Sequence, residues 1–305
     1  MRRAFVETLV KLARGDSRIV LLTADLGFNA LEPFVQEFPG RFFNVGIAEQ
    51  QMLALATGLA EAGFVPFCYS IVNFAVLRPY EFIRNGPILH RLPVRIVGMG
   101  GGIEYASNGA THYGIEDIGV LRVQPGISIY APADSAQTET ILERTASISG
   151  PVYYRLGKDD RLVVPGLNGH FTPGCPEHLV VGRDLLFIAM GGIAVEAIAA
   201  SRKLAQRGVS AGVAVVSSLN PVDRTFYADL LRCYKYIISV EAHYINGGIG
   251  SLTAEVLAEC EIPARLVRKG LSATPDGITG SQAFMYARYG IGSEQLVHAA
   301  LEMMQ

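Results

Sequence analysis

Short runs of branched and aromatic residues alternate with segments of helical periodicity along the first half of the chain. Residues 19–23, 94–98 and 128–130 are strand-like, and helical patterns lie between them. Such alternation predicts a mainly parallel sheet, because a helix between two strands normally returns the chain to a parallel neighbour. The fold class expected is α/β, with a doubly wound sheet and helices on both faces in residues 1–165.

A smaller α/β unit is predicted after a break. Residues 159–182 contain prolines and glycines with little periodicity, which is typical of a linker. Residues 194–207 have helical spacing that ends at Gly208, a residue suited to a helix terminus. Strand-like runs surround this helix at residues 184–190, 213–216 and 236–241. We therefore expect a second domain in residues 178–305.

Composition restricts the class of protein. The length of 305 residues is consistent with about two domains. A net charge of −2 offers no basic surface for nucleic acid, and no segment approaches the ~20 apolar residues of a membrane span. Glu7 and Lys11 interrupt the amino terminus, which is typical of an amphipathic helix and not of a signal peptide. The four cysteines lack the short spacings of zinc or dithiol motifs, so we expect reduced thiols in a cytoplasmic protein.

A single carboxylate in an apolar turn is the first candidate for chemistry. Residues 41–45 are strand-like, and the apolar residues after position 51 recur at helical spacing, so Glu49 lies at a strand-to-helix junction. In α/β sheets ligands bind at such junctions. A poorly hydrated carboxyl group there suits hydrogen bonding or proton transfer to a heteroaromatic ring. The simpler interpretation is a first-turn glutamate that complements the helix dipole.

Three ordered segments decide between these interpretations. Residues 45–50, 66–85 and 109–117 together resemble the pyrimidine-binding domain of transketolase-like thiamine diphosphate enzymes. Residues from 178 onward resemble the transketolase C-terminal domain. The resemblance thus covers the whole chain, and it implies a transferase of carbohydrate metabolism that moves a two-carbon ketol unit between sugar-like substrates, which we expect to be phosphorylated.

The resemblance assigns cofactor-binding roles to three residues. Glu49 matches the glutamate that hydrogen-bonds the aminopyrimidine ring nitrogen, and sharing a proton with that nitrogen favours the tautomer that can deprotonate the thiazolium ring. Phe74 matches the aromatic residue that stacks on the pyrimidine, although an ordinary core phenylalanine is the alternative. Asp25, in an Ala-Asp-Leu segment after the first strand, is expected to organise the pocket or to form an Asx-turn.

Four further residues are candidates for substrate binding. His112 matches the histidine of a Thr-His pair that faces the substrate oxygens, where imidazole can stabilise an alkoxide or carry a proton. Arg155 falls where the family places an arginine that binds the substrate phosphate, and a surface ion pair is its alternative. Arg78 lies in the second segment. Asn108 occupies the position of a family aspartate that contacts a donor hydroxyl, so donor specificity is expected to differ from that of standard transketolases.

The chain lacks one part that the resemblance requires. Thiamine diphosphate enzymes hold the diphosphate through Mg²⁺ bound by a Gly-Asp-Gly segment, and no such segment occurs here. The expected partner is therefore an N-terminal, diphosphate-binding transketolase subunit that holds most of the Mg²⁺ ligands. We expect this chain to dimerise within a heterotetramer of the two subunits.

Two other functions remain open from the sequence. One is a deoxyxylulose phosphate synthase or the beta subunit of a 2-oxo acid dehydrogenase, which share the glutamate. The other is a noncatalytic subunit that only binds a partner. The context of His112 and the presence of Arg155 favour ketol transfer over the first, and the retention of Glu49, Phe74 and His112 argues against the second.

Overall fold

The computed structural model describes residues 1–305 and contains two α/β units with mainly parallel sheets. The first unit begins with an amphipathic helix, which buries its apolar face, and continues through alternating strands and helices. Its helices are α1 (Arg2–Gly15), α2 (Glu32–Glu37), α3 (Glu49–Glu61), α4 (Val72–Val76), α5 (Tyr80–Ile83), α6 (Asp117–Arg122) and α7 (Ser135–Thr145), and its strands are β1 (Ile19–Thr23), β2 (Phe42–Asn44), β3 (Val65–Ile71), β4 (Arg95–Met99), β5 (Ser128–Tyr130) and β6 (Val152–Leu156).

The first strand of the second unit lies at the start of the predicted domain, 178–305. This strand also lies inside the segment predicted as a linker, because residues 177–180 pair with the sheet. The strands of the second unit are β7 (Glu177–Val180), β8 (Leu185–Met190), β9 (Ala211–Val215), β10 (Ser218–Asn220), β11 (Tyr236–Tyr244) and β12 (Arg265–Leu271), and its helices are α8 (Ala194–Ala205), α9 (Arg224–Arg232), α10 (Ile249–Glu259), α11 (Gln282–Arg288) and α12 (Ser293–Met304).

The strand order determines where a ligand can bind. The seven-stranded sheet runs β10-β5-β6-β4-β3-β1-β2, and only β10 is antiparallel to its neighbour. From β1 the chain moves first to β2 on one side and then to β3 on the other. Such a reversal leaves a crevice beyond the carboxyl ends of the adjacent strands, the usual ligand site of an open α/β sheet.

Alternation along the strands builds a separate core on each face of this sheet. In β1, Leu21 packs with the residues of α1 and α7, whereas Val20 and Leu22 pack on the opposite side with α3. The five-stranded sheet runs β12-β11-β8-β9-β7, and its core residues include Phe187 and Val213. Helices therefore cover both faces of the first sheet, as the doubly wound arrangement requires.

The two units share structure across their boundary. Strand β10 belongs to the second half of the chain, yet it pairs with β5 and extends the first sheet. The core beneath α3 also continues without interruption into the second unit, where Leu186 and Ile188 join it. This continuity ties the second unit firmly to the first. None of the helices combines the length and the apolar character needed to cross a bilayer.

Candidate active site

The carboxyl ends of β1, β2 and β3 bring several of the candidate residues together. Asp25 follows β1, Glu49 opens α3 after β2, and Phe74 lies in α4 immediately after β3. The loop that carries His112 covers the same edge, since the rings of His112 and Phe74 lie 5.4 Å apart in an edge-on arrangement. The structure thus forms one cleft from segments that are distant in sequence.

Glu49 is buried at this edge of the sheet. Its side chain is 2% exposed, and Nη1 of Arg78 donates to both carboxylate oxygens, at 2.9 and 3.1 Å. The hydroxyl of Ser70 makes a longer contact of 3.4 Å to one of those oxygens. The guanidinium carbon of Arg78 lies 3.9 Å from the centroid of the Phe74 ring, which gives a cation–π contact. A planar group therefore stacks on Phe74 while it donates to Glu49.

This geometry tests whether the residues fit an aminopyrimidine. The Arg78 guanidinium is a flat, delocalised group with N–H donors along its edge. An aminopyrimidine has the same two properties, a flat face for Phe74 and a nitrogen edge that can share a proton with Glu49. The side chain of Arg78 is 45% exposed, so it can move away from these two partners. The residues present fit the pyrimidine end of thiamine diphosphate.

The loop above the cleft holds His112 through local contacts. The hydroxyl of Thr111 lies 3.0 Å from Nδ1 of the His112 ring, and Asn73 donates from its amide to the carbonyl of Thr111. The ring of Tyr105 lies 6.3 Å from the imidazole on another side. Asn73 is not among the sequence candidates, and its position directly before Phe74 is the only sequence signal for this role.

Asp25 and Asn108 occupy the rim of the cleft. Asp25 has a positive φ of 55° and exchanges hydrogen bonds with Asn44, at 3.0 Å from its backbone N–H and 3.2 Å to its carboxylate. Asn108 is exposed within a 3₁₀ turn, and Ser107 donates to its amide oxygen at 3.3 Å. Both side chains lie at the surface, where a substrate or a second chain can reach them.

Arg155 has a different position from the one predicted. Its side chain is 5% exposed, and Nε donates to Asp117 at 2.9 Å. Nη2 donates to the carbonyls of Gly114 and Ala242, both at 2.9 Å. Three of the five N–H donors of the guanidinium are used in these contacts and its side chain is almost fully buried, so the predicted contact of Arg155 with a substrate phosphate is not supported. Neither is the alternative of a surface ion pair.

An exposed cation lies beyond the end of the same strand, where the sequence patterns give no indication of it. Lys158 follows β6 and forms no ion pair, and its ammonium lies 4.6 Å from the centroid of the Tyr105 ring. Tyr105 in turn contacts His112. Lys158 lines a pocket of about 440 Å³ together with the carboxylates of Glu104, Asp159 and Asp160, the guanidinium of Arg161 and the amide of Gln282. All five residues of β6 are buried, including Arg155, whereas Lys158 lies two residues beyond the end of the strand, where the chain reaches the surface.

Two buried titratable groups lie in the second unit, away from the cleft. Burial raises the pKa of Glu241 to about 7, although its carboxylate accepts hydrogen bonds from the N–H groups of Ile249 and Gly250 at the start of α10. Burial lowers the pKa of His243 to about 4. The contacts of Glu241 cap α10, and Nε2 of His243 accepts from the N–H of Gly119 in the first unit at 3.3 Å. Both are structural functions.

Family models match both units of the chain. The pyrimidine-binding domain of transketolase matches residues 1–161, and the transketolase C-terminal domain matches residues 176–296. Members of the transketolase family use thiamine diphosphate, in agreement with the fit of Glu49 and Phe74 to its pyrimidine.

Curated relatives of similar length are single subunits of divided transketolases. The chain is 33% identical over 299 residues to a subunit of the apulose-4-phosphate transketolase of Actinobacillus succinogenes, covering 98% of this chain and 96% of the relative. It is 33% identical over 307 residues to 6-deoxy-6-sulfo-D-fructose transketolase subunit SqwH of a Clostridium species, covering 100% and 94%. A 1-deoxy-D-xylulose-5-phosphate synthase of Syntrophotalea carbinolica is 33% identical over 305 residues, which span 98% of this chain and 47% of that enzyme.

Solved structures also match this chain either as a separate subunit or as one half of a transketolase. A split gene transketolase, an inactive beta4 tetramer, superposes with a TM-score of 0.90 at 36% identity over 99% of this chain and 97% of that one. Transketolase of Pichia stipitis shares the fold, with a TM-score of 0.82 at 20% identity over 99% of this chain and 45% of that one. The chain therefore belongs to the transketolase family and corresponds to the C-terminal half, with pyrimidine-binding and C-terminal domains, of a split transketolase-like thiamine diphosphate enzyme.

Proposed function

We propose that this chain is the subunit of a split transketolase that activates the aminopyrimidine and contacts the substrate during two-carbon ketol transfer. The observation that carries the proposal is the buried carboxylate of Glu49, held at the carboxyl end of the sheet within reach of a planar group stacked on Phe74. When bound, thiamine diphosphate supplies the nucleophilic carbon for cleavage and formation of carbon–carbon bonds.

The residues of this chain have distinct functions in the proposal. Glu49 shares a proton with the ring nitrogen of the pyrimidine, and Phe74 orients the ring by stacking. Arg78 leaves Glu49 when the pyrimidine binds, and its guanidinium becomes free to contact substrate oxygens. His112 donates a hydrogen bond to the substrate oxygen on which negative charge develops. Asp25 and Asn108 complete the rim on the cofactor and substrate sides.

The partner chain completes the site. No group of three or more histidine, cysteine, aspartate or glutamate side chains in this chain is arranged to hold a metal ion. Because the Gly-Asp-Gly segment that binds Mg²⁺ in thiamine diphosphate enzymes does not occur in this sequence, we propose that an N-terminal diphosphate-binding subunit supplies the ligands for Mg²⁺ and the diphosphate. Ile47, which is 77% exposed and lies two residues before Glu49, offers an apolar contact for that subunit. Two copies of each chain give the heterotetramer that we propose.

The substrates are proposed to be sugars with an anionic end. Lys158 is exposed beside Tyr105, which contacts His112, and it carries no competing ion pair. The names of two relatives give substrates with a phosphate or a sulfo group, both of which are anionic at neutral pH. A lysine ammonium binds either group as a point charge.

The first prediction concerns the need for a partner. The purified chain alone should show no ketol transfer and no tight binding of thiamine diphosphate, because in this proposal the partner supplies the ligands for Mg²⁺ and diphosphate. Addition of the partner chain with Mg²⁺ should produce both. Isothermal titration calorimetry and a coupled ketol-transfer assay measure the two properties. Turnover by the chain alone would contradict the split arrangement.

The same reconstituted enzyme separates the alternative reactions. Assays with a ketose phosphate donor and with a 2-oxo acid donor should give turnover only with the ketose, whereas a synthase of the deoxyxylulose phosphate type would use the 2-oxo acid. The synthase relative, 47% of whose length this chain matches, makes this comparison necessary.

A second prediction concerns the anionic end of the substrate. Lys158→Met should raise the KM for a phosphorylated ketose by about tenfold, the factor expected for the loss of about 1.4 kcal/mol of charge-assisted binding, and should leave the KM for the unphosphorylated ketose unchanged. Lys235→Met is the matched control, because Lys235 also lies against a tyrosine ring, 5.3 Å from the centroid of Tyr236, on the second unit. An equal effect of Lys158→Met on both ketoses would contradict an anion contact.

A further inference from the structure

Arg155 connects three parts of the molecule through one guanidinium group. It lies on β6 and donates through Nε to the Asp117 carboxylate at 2.9 Å, on the first residue of α6. The two hydrogens of Nη2 are shared between the carbonyl of Gly114, in the loop above the cleft, and the carbonyl of Ala242, on β11 of the second unit, each at 2.9 Å. Three acceptors on separate elements suit the planar fork of a guanidinium and no other side chain.

Gly114 lies two residues after His112 and anchors the loop. Its backbone N–H donates to the carbonyl of Gly102 at 2.8 Å, and the N–H of Gly102 returns the bond at 2.7 Å. A Cβ atom at Gly101 would lie 3.0 Å from the guanidinium carbon of Arg155, so the guanidinium packs directly against this part of the backbone. The two ends of the loop from 101 to 115 are thus hydrogen-bonded to each other, and the loop packs on the guanidinium of Arg155.

The second unit contacts the same loop. The N–H of Tyr244, the last residue of β11, donates to the carbonyl of Ile115 at 2.9 Å. A Cβ atom at Gly102 would lie 2.6 Å from the carbonyl oxygen of Ala242, so the backbones of the loop and of β11 approach each other closely. The position of the His112 loop therefore depends on how the second unit is docked.

We propose that Arg155 is a positioning residue for the reaction: it fixes the loop that carries His112 between the first sheet and strand β11 of the second unit. The inference rests on the proposed function only in the step from the position of His112 to the rate. It gives the second unit a function in catalysis, because the Arg155 guanidinium joins β11 to the His112 loop without touching the substrate.

The first test measures the loop directly, in the complete chain. Hydrogen–deuterium exchange of residues 101–115 should be faster in Arg155→Lys, because an ammonium group cannot reach three separated acceptors at once. The matched control is Arg95→Lys. Arg95 is also buried on a strand of the first sheet, and it donates to the carbonyls of Gly150 and Ala146 at 2.6 and 2.8 Å. Arg95→Lys should accelerate hydrogen–deuterium exchange around residues 146–150 and leave the exchange of residues 101–115 unchanged.

The second test is a double-mutant cycle in the enzyme reconstituted with its partner. Arg155→Lys should lower kcat by about 10²-fold, as expected when a catalytic group is displaced by about 1 Å, with little change in KM. The same substitution in a His112→Ala background should lower kcat little further, because the group that Arg155 positions is absent. Independent, multiplicative losses would show that Arg155 does not act through His112 and would overturn the proposal.

Other outcomes are equally decisive. Unchanged exchange of residues 101–115 in Arg155→Lys also overturns the proposal. Wild-type turnover by His112→Ala refutes the substrate contact in the proposed function, and the exchange experiment then decides separately whether Arg155 holds the loop. Should Arg155→Lys fail to fold, Tyr153→Phe removes only the hydroxyl that donates to Asp117 at 2.7 Å. This variant should give a smaller acceleration in the same residues, and wild-type exchange there would count against the proposal.

Discussion

Replacement of Glu49 by glutamine is expected to lower the turnover of the reconstituted enzyme by about 10²–10⁴-fold, the range that a general acid–base group contributes. Glutamine keeps the size and a carbonyl oxygen, but it cannot share a proton with the pyrimidine nitrogen. Deuterium exchange at the thiazolium carbon of bound thiamine diphosphate, followed by NMR, should slow in parallel. This second measurement reports the activation step without any substrate.

The matched control for Glu49 is at the other end of the same helix. Glu61 is the last residue of α3 and is exposed, so Glu61→Gln should leave turnover and exchange at wild-type values. The loss of the Glu49–Arg78 ion pair should itself cost little stability, because the half-exposed Arg78 can be hydrated instead. Wild-type turnover by Glu49→Gln would refute the assignment of this carboxylate and would favour a noncatalytic subunit.

The parts of the fold that sequence predicts well are those with strong local patterns. Residues 19–23 form β1 as expected, and the helix that begins at Glu49 follows its junction strand. The pairing of β10 with β5 of the first sheet could not be predicted. A strand of three residues carries no sequence signal for a distant antiparallel partner. The strand within residues 177–180 is hidden in the sequence by the surrounding prolines and glycines.

For the candidate site, the sequence indicates which residue types are present better than it indicates which way their side chains point. Glu49, Phe74 and His112 are grouped in the structure, since each belongs to a segment that ends at the same edge of the sheet. Arg155 is a residue whose orientation the sequence does not determine, because an arginine near the end of a strand can face either the cleft or the interior. The partners that decide its orientation, Asp117 and Ala242, are 38 and 87 residues away along the chain.

The Arg155–Asp117 pair gives the largest expected effect on stability. Both side chains are almost entirely buried, at 5% and 1% exposure, and Oδ2 of Asp117 accepts from both Arg155 and Tyr153. Taking two charges out of water costs several kcal/mol per ion, which their mutual attraction offsets only while both are present. Burial tends to lower the pKa of Arg155, but the neighbouring Asp117 carboxylate raises it, so the guanidinium remains charged in the core.

Asp117→Ala is therefore expected to lower the free energy of unfolding by about 3–5 kcal/mol, the cost of leaving a buried charge without its partner. Glu255→Ala is the matched control, because Glu255 pairs with Arg122, the last residue of α6. Glu255 is 41% exposed, and Arg122, at 13% exposure, keeps the carbonyls of Gly247 and Gly248 as acceptors, so this loss should cost about 0–1 kcal/mol. Urea unfolding followed by far-UV circular dichroism suits this chain, which has no tryptophan.

A third variant distinguishes the loss of a charge partner from the loss of packing. Asp117→Leu combined with Arg155→Met replaces the ion pair by apolar side chains of similar volume, and it should recover most of the stability that Asp117→Ala loses, because no unpaired charge remains in the core. It should not recover the slow exchange of the His112 loop, since methionine donates no hydrogen bond to Gly114 or Ala242. Equal losses in Asp117→Ala and Glu255→Ala would show instead that water reaches Arg155 and that the pair contributes no more than a surface contact.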